Sequence, residues 1–415
     1  MTTETTEDTR ERLRRDYDPY AGVSIATQVD GLARRRVELP LSWSGRGNGC
    51  WVLTQYDDIS ELLRLNNRGV VSFPNEPDGT NAVGSRQAMI PIEIDGDQHR
   101  QYRRYLDPQF APRKVAELED HLREQCNRFI DGFIEAGRCD FVESFALPFP
   151  GATVLAIMGW PLEDLERMNR WTSILLHGVP GGTLEENAAA RGAAHVEFSG
   201  YMLEKIPEWR AAPRKDDVTS VMLDAEIDGA KMTDNELFDF FVLMMTAGLD
   251  TVQSVLAQSA VYFAGRPDQW DRMFSSPELL DPAVEELIRW ATPPVPTRTV
   301  TVDSVRFQGV DIPHGDRIHA PLAAANRDPK YYENPDEIVF DRAPKPHLGF
   351  GVGPHRCVGL HLARLELKIA YTELHRRLPR FELDPDAPAP HEHLGLAWGI
   401  EDVHLRFPPG SRETS

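Results

Sequence analysis

The stretch Phe350-Gly351-Val352-Gly353-Pro354-His355-Arg356-Cys357-Val358-Gly359 runs directly into a helical pattern that extends from Val358 to Leu378. A glycine-rich turn therefore sets Cys357 at the start of a helix. Backbone N–H groups and the positive end of the helix dipole both favour a thiolate there, lowering the thiol pKa and suiting the sulfur to be a metal ligand or a nucleophile. Three glycines leave room for a large flat ligand against the backbone. A single cysteine in such a turn is more often a buried structural thiol, so context must decide. Zinc would need further Cys or His at short spacing, which is missing. One axial thiolate is enough for haem, because the macrocycle supplies the other four ligands.

A second segment, Thr246-Ala247-Gly248-Leu249-Asp250-Thr251, lies inside a long apolar helical pattern from Thr233 to Phe263. Glycine inside a helix costs about 1 kcal/mol against alanine. Small Ala247 and Gly248 would let a planar cofactor approach one helix face, and Thr251 falls on that face four residues after Ala247. Asp250 and Thr251 make a polar notch in FFVLMMTAGLDTVQSVLAQSA. For an isolated pair the simpler reading is a threonine bonded back to a helix carbonyl and an aspartate facing solvent or an arginine. Pairing with the Cys357 loop reverses that preference. In Glu286-Leu287-Ile288-Arg289 the i, i+3 spacing places carboxylate and guanidinium on one face, by itself a common surface ion pair.

The 415 residues carry 45 basic and 65 acidic side chains, a formal charge of −20 with 41% hydrophobic residues. Such a chain can bury a sizeable core, and its acidity argues against nucleic acid as a partner. Four scattered cysteines, Cys50, Cys126, Cys139 and Cys357, give neither a disulfide framework nor a CxxC spacing, so a reducing, cytoplasmic setting is expected. The polar leader 1–20 has no apolar stretch resembling a signal or anchor, and no run of about 18 apolar residues is seen, so no membrane association is expected.

Helical periodicity covers 114–136, 161–176, 185–209, 233–263, 282–290 and 358–378, with a shorter helix at 57–65. Strands are expected at 51–54, 297–302, 305–307, 317–320 and 404–407. The Pro-, Gly- and Asn-rich segment 72–87 reads as a lid or binding loop, and 177–183 as a hinge or an ordinary connection. The fold class is mainly α with small peripheral β-sheets, in one domain at 21–408 flanked by a flexible leader at 1–20 and a tail at 409–415.

Taken together and in order, the cysteine loop, the AGxDT segment and the ExxR pair resemble the cytochrome P-450 superfamily over nearly the whole chain, in its soluble bacterial form. That resemblance implies its single triangular helical domain and haem b (iron protoporphyrin IX), with Cys357 as proximal thiolate. Glu286, Arg289 and Arg342 match a structural triad that braces the cysteine loop. His99 and Arg103 match an HxxxR pattern, and Arg298 and His355 match positions contacting haem propionates. His355 stands where many relatives carry Arg, and Val358 where Leu, Ile or Ala is commoner. Ala247, Gly248, Phe350 and Gly359 complete the cofactor-binding set.

The implied activity is a haem-thiolate monooxygenase inserting one oxygen atom from O2 into a C–H bond, the other leaving as water. Asp250 and Thr251 are the catalytic candidates, as a proton relay, with Thr251 also a hydrogen-bond partner of the dioxygen. Alignment with the family gives pocket walls at Met89, Ile90, Leu243, Thr246, Ala247, Pro294, Val295, Pro296 and Leu396. Their apolar character suits a hydrophobic small molecule such as a terpenoid, polyketide or other secondary metabolite; Arg86 and Gln87 are candidates to read a polar group on it. With no flavin or NAD fingerprint, electrons are expected from a ferredoxin and its NAD(P)H-dependent reductase. Arg104, Arg113, Lys114, Arg356, Arg364 and Lys368 either form a basic docking face for it or are solvated helix faces. A haem-binding sensor or electron carrier is the alternative, which the Asp250–Thr251 pair disfavours; a peroxide-driven peroxygenase is another.

Overall fold

Thr233 starts the longest helix, Asp234–Ala264, with a capping box: its hydroxyl accepts from the Glu236 N–H, and the Glu236 carboxylate accepts from the Thr233 N–H. Apolar nearly all round, this helix belongs in a core rather than on a surface. It is also long and apolar enough to cross a membrane by length and composition, contrary to the expectation that no such segment exists; 78% of its most apolar window is buried inside the protein. The computed structural model describes residues 5–18, 24–46, 49–66, 68–72, 88–179, 181–394 and 397–413.

Helices Pro148–Met158, Leu165–His177, Leu184–Ala211, Leu280–Ala291 and Leu360–Arg377 all pack on the long helix, and Glu119–Asp131 packs on the last of these. Their apolar faces merge into one large cluster that includes Phe145, Phe149, Phe240 and Tyr371. A five-stranded sheet stands beside it, in the spatial order Leu41–Ser44, Cys50–Leu53, Arg317–His319, Thr297–Val300 and Val70–Ser72. Only the pairing of Cys50–Leu53 with Arg317–His319 is parallel. A separate cluster built on Trp51, Ile59, Val300, Ile318 and Trp398 covers this sheet. The hairpin of Glu392–His393 and Gly399–Ile400 packs on the long helix.

The helix expected at 114–136 is three pieces, Pro112–Ala116, Glu119–Asp131 and a 3-10 turn Ile134–Ala136, closed by Gly137 at φ 69°. Pro148–Met158 escapes the periodicity test because it is buried on almost every side, leaving no polar face to mark a period. Nor does the leader hang free: Thr6–Arg12 is a helix, Leu13 and Tyr17 are buried, and Arg10 reaches Asp316 at 2.6 Å. At the other end Arg376 pairs with Glu413 at 2.6 Å, and Arg377 donates to the Ser411 carbonyl at 2.7 Å. Most of the proposed lid, 73–87 with Arg86 and Gln87, and the pocket candidate Leu396 lie outside the described residues.

Candidate active site

The cysteine loop is folded by its own backbone. Gly351 N–H donates to the Leu348 carbonyl at 2.8 Å, and Cys357 N–H to the Phe350 carbonyl at 3.0 Å. Gly353 sits at φ 84° with its α-carbon against the chain at Leu63, where a Cβ would lie 2.5 Å from the carbonyl oxygen, so only glycine fits. At Gly351 and Gly359 a Cβ would meet nothing within 4 Å. Cys357 is an exposed residue of this loop. Burial pushes its thiol pKa up, against the Gly359 N–H and the charges of Arg103, Arg364 and Arg356. Desolvation thus opposes the lowering expected from the helix start.

Glu286, Arg289 and Arg342 come together as a buried triad. Arg289 makes two 2.7 Å bonds to the Glu286 carboxylate, and Arg342 Nε reaches it at 3.0 Å. Arg289 also donates to the carbonyls of Asn326 and Pro335 at 2.7 Å and of Glu337 at 2.9 Å. The Asn326 side chain then accepts from the Leu348 N–H at 2.7 Å, which carries the brace into the cysteine loop. Sequence reading missed a second brace. Glu285 binds Arg364 at 2.5 and 2.7 Å and His347 at 3.1 Å, and Arg364 lies 4.6 Å over the Phe350 ring. Burial raises the Glu285 pKa, but these partners outweigh it and hold the carboxyl at about 2. The signal was Glu285 standing next to the motif glutamate.

On the long helix, Met244, Ala247, Gly248 and Thr251 form an accessible stripe at i, i+3, i+4 and i+7 among buried neighbours. The reason given for Gly248 needs correction: a Cβ there would lie 2.5 Å from the Val154 Cγ2, so its smallness serves contact with Pro148–Met158. Thr251 Oγ1 donates to the Ala247 carbonyl at 3.2 Å, the back-bonded arrangement. Asp250 is buried rather than facing solvent, and its Oδ1 lies 2.7 Å from His177 Nε2. Burial alone would raise the carboxyl pKa and lower that of the imidazole. The paired charges prevail in both, leaving Asp250 below and His177 above its ordinary value.

His99, Arg103, Arg298 and His355 also gather. The rings of His99 and His355 lie 4.1 Å apart, and His355 Nε2 meets Asp95 Oδ1 at 2.8 Å. Arg103 donates to the Arg356 carbonyl at 2.8 Å. Arg298 is 5% exposed, and its Nε and the His99 Nδ1 have no hydrogen-bond partner among the described residues. Burial holds the His99 pKa at about 4 and that of Arg298 at about 10, the latter still a cation. Buried nitrogens without partners among the described residues, beside the exposed Cys357 loop and its open glycines, fit a large planar ligand with anionic substituents such as haem.

Residues 171–401 match the family model described as cytochrome P-450. The chain belongs to the cytochrome P-450 family. A methyl-branched lipid omega-hydroxylase of Mycobacterium tuberculosis is 31% identical, with 80% of this chain and 78% of that protein aligned. A steroid C26-monooxygenase of Mycolicibacterium smegmatis is 28% identical over 89% of this chain and 88% of its own. The structure of a mutant of the P-450 EryK in complex with erythromycin B superimposes with a TM-score of 0.82 at 26% identity, covering 94% of this chain and 98% of that one. This protein therefore has the P-450 fold and is a haem-iron monooxygenase, an oxidoreductase that uses O2, a substrate and a redox partner.

Of the pocket candidates in this P-450, Met89 and Leu243 pack together with Ile92 and Leu176 in a small apolar cluster. Thr246 is buried, its hydroxyl donating to the Val242 carbonyl at 2.9 Å. Pro294 and Pro296 are half-buried on alternate positions of one extended segment. Ile90 packs in the helical core, and Val295, between the two half-buried prolines, packs in the sheet core. In the segment 294–296 the two-residue alternation of an extended chain accounts for this, since successive side chains leave opposite faces.

Proposed function

We propose that this P-450 holds haem b through the Cys357 thiolate and hydroxylates a hydrophobic secondary metabolite, with electrons from a ferredoxin and its NAD(P)H-dependent reductase in the cytoplasm. The observation that carries this reading is the Cys357 loop tied to the Glu286–Arg289–Arg342 triad through Asn326, with the Arg298 Nε and His99 Nδ1 buried and without a partner among the described residues. When bound, the haem iron supplies the activation of O2. Arg298, Arg103, His99 and His355 would hold its propionates, and Gly351, Gly359 and Ala247 would leave room for it.

Protons come through side chains. His177 keeps 18% of its side chain exposed and carries a proton at Nε2, 2.7 Å from Asp250 Oδ1. Rotation of Asp250 away from His177 passes that proton toward the Thr251 hydroxyl on the accessible helix face. A bulky apolar substrate is supported by the Met89–Leu243 cluster and by the lipid and steroid named for its relatives. Among the six basic candidates, Lys114, Arg364 and Lys368 are engaged in ion pairs, while Arg104, Arg113 and Arg356 are exposed and suit an acidic ferredoxin. The test is product formation from steroid, branched-lipid and macrolide panels under 18O2, with a ferredoxin system or with hydrogen peroxide alone. One 18O per product in the ferredoxin arm supports the reading; product only with peroxide contradicts the electron route.

A further inference from the structure

Asp250 has a second histidine beside its first. His177 ends the helix Leu165–His177, Asp250 lies in the middle of the long helix, and His393 comes from the short strand Glu392–His393. One ligand atom from each lies within 4.8 Å of the other two. The imidazoles of His177 and His393 are 3.9 Å apart between centroids. His393 is 8% exposed, and neither of its ring nitrogens has a hydrogen-bond partner among the described residues. Gly399 makes room for that ring: a Cβ there would collide with His393 Nε2 and come within 2.6 Å of the Ser254 hydroxyl.

A buried imidazole with both nitrogens unsatisfied is costly unless something fills the gap. Two imidazoles and a carboxylate are the donor set that zinc and its neighbours in the transition series take, with a position left for water. We propose that His177, Asp250 and His393 form a binding site for one divalent transition-metal ion, represented by zinc, separate from the cysteine-ligated centre. Metal–ligand bonds of about 2.0–2.2 Å need the three donor atoms somewhat over 3 Å apart, a small adjustment from the separations present. Oxygen-preferring magnesium and calcium are poorly matched to two imidazoles. Occupancy joins the end of one helix, the centre of another and a hairpin. It also ties up the Asp250 carboxylate, so the ion inhibits turnover; this last consequence rests on the proton-relay reading of Asp250.

The test is calorimetric titration of zinc chloride into the haem-loaded protein and its His393→Phe, His177→Gln and His391→Ala variants. His391 is exposed beside the site and pairs with Glu401, so it controls for surface binding. The site predicts one zinc per chain, affinity lowered by about tenfold or more in His393→Phe and His177→Gln, no change in His391→Ala, and no competition from millimolar magnesium. Unaltered affinity in both His393→Phe and His177→Gln, or loss in His391→Ala alone, overturns it. Should one variant fail to fold, the other decides. Zinc that binds with these variant effects but leaves product formation intact contradicts the relay role of Asp250 and leaves the metal site standing.

Discussion

Arg289 forks onto Glu286 with two bonds of 2.7 Å, in a site where the arginine side chain is 2% and the carboxylate 5% exposed. Removing one partner of a buried pair strands the other charge, which costs about 3–5 kcal/mol. Because Arg289 also binds the Asn326 carbonyl, and Asn326 binds the Leu348 N–H, the loss reaches the cysteine loop. Glu286→Gln is expected to yield little folded haem protein. Arg342→Ala, which removes the more exposed arm, should fold but purify with haem occupancy at most about half that of the parent by pyridine haemochrome assay. Full occupancy in Arg342→Ala would remove the bracing role.

Thr251 offers its hydroxyl on the accessible face of the long helix, bonded to the Ala247 carbonyl. Thr251→Ala should keep the haem spectrum and consume NAD(P)H at a rate similar to the parent, while product per NAD(P)H falls by about tenfold or more. Product and hydrogen peroxide measured together report this, and unchanged coupling speaks against Thr251.

Gly248 presses on Val154. Gly248→Val should destabilise the fold by about 1–3 kcal/mol through overpacking, and Val154→Ala in the same chain should recover much of the loss. Urea unfolding of the two single variants and the double variant gives the coupling; additive losses would mean that the two residues do not share this contact.

Burial raises the Glu366 pKa to about 8 against the opposing influence of the Thr153 side chain, and its Oε1 is unpartnered among the described residues. Its folded pKa thus lies above its unfolded value near 4.5, so the folded state binds the extra proton between those values. Stability from this group is full below about pH 4.5 and declines as pH rises toward 8, by up to about 1.4 kcal/mol per unit. Glu366→Gln should therefore flatten the fall in urea midpoint between pH 6 and pH 8. An equal fall in both proteins would show that Glu366 does not titrate there.

Short-range patterns made much of this site legible. The residues within each of Ala247 to Thr251, Glu286 with Arg289, and the cysteine loop are close in sequence, and the ordered set, through its resemblance to a known family, gave them their roles. What spacing could not show was the company they keep. His177 and His393 stand at a helix end and on a two-residue strand, and only the packing of both on the long helix brings them to Asp250. Asp95, which receives His355, carried no signal beyond preceding a helix. At Cys357 the desolvation that opposes the helix start depends on the packing around the loop, which a linear motif does not display. Likewise Pro148–Met158 is too thoroughly buried to display a period.

The central claim is that Cys357 is the axial thiolate. The most direct measurement is the absorption spectrum of the purified haem protein after dithionite reduction and addition of carbon monoxide. A strongly red-shifted Soret band, lost in Cys357→Ala, is the predicted result. A band at the position of imidazole- or neutral-thiol-ligated haem in the unmutated protein would contradict the assignment.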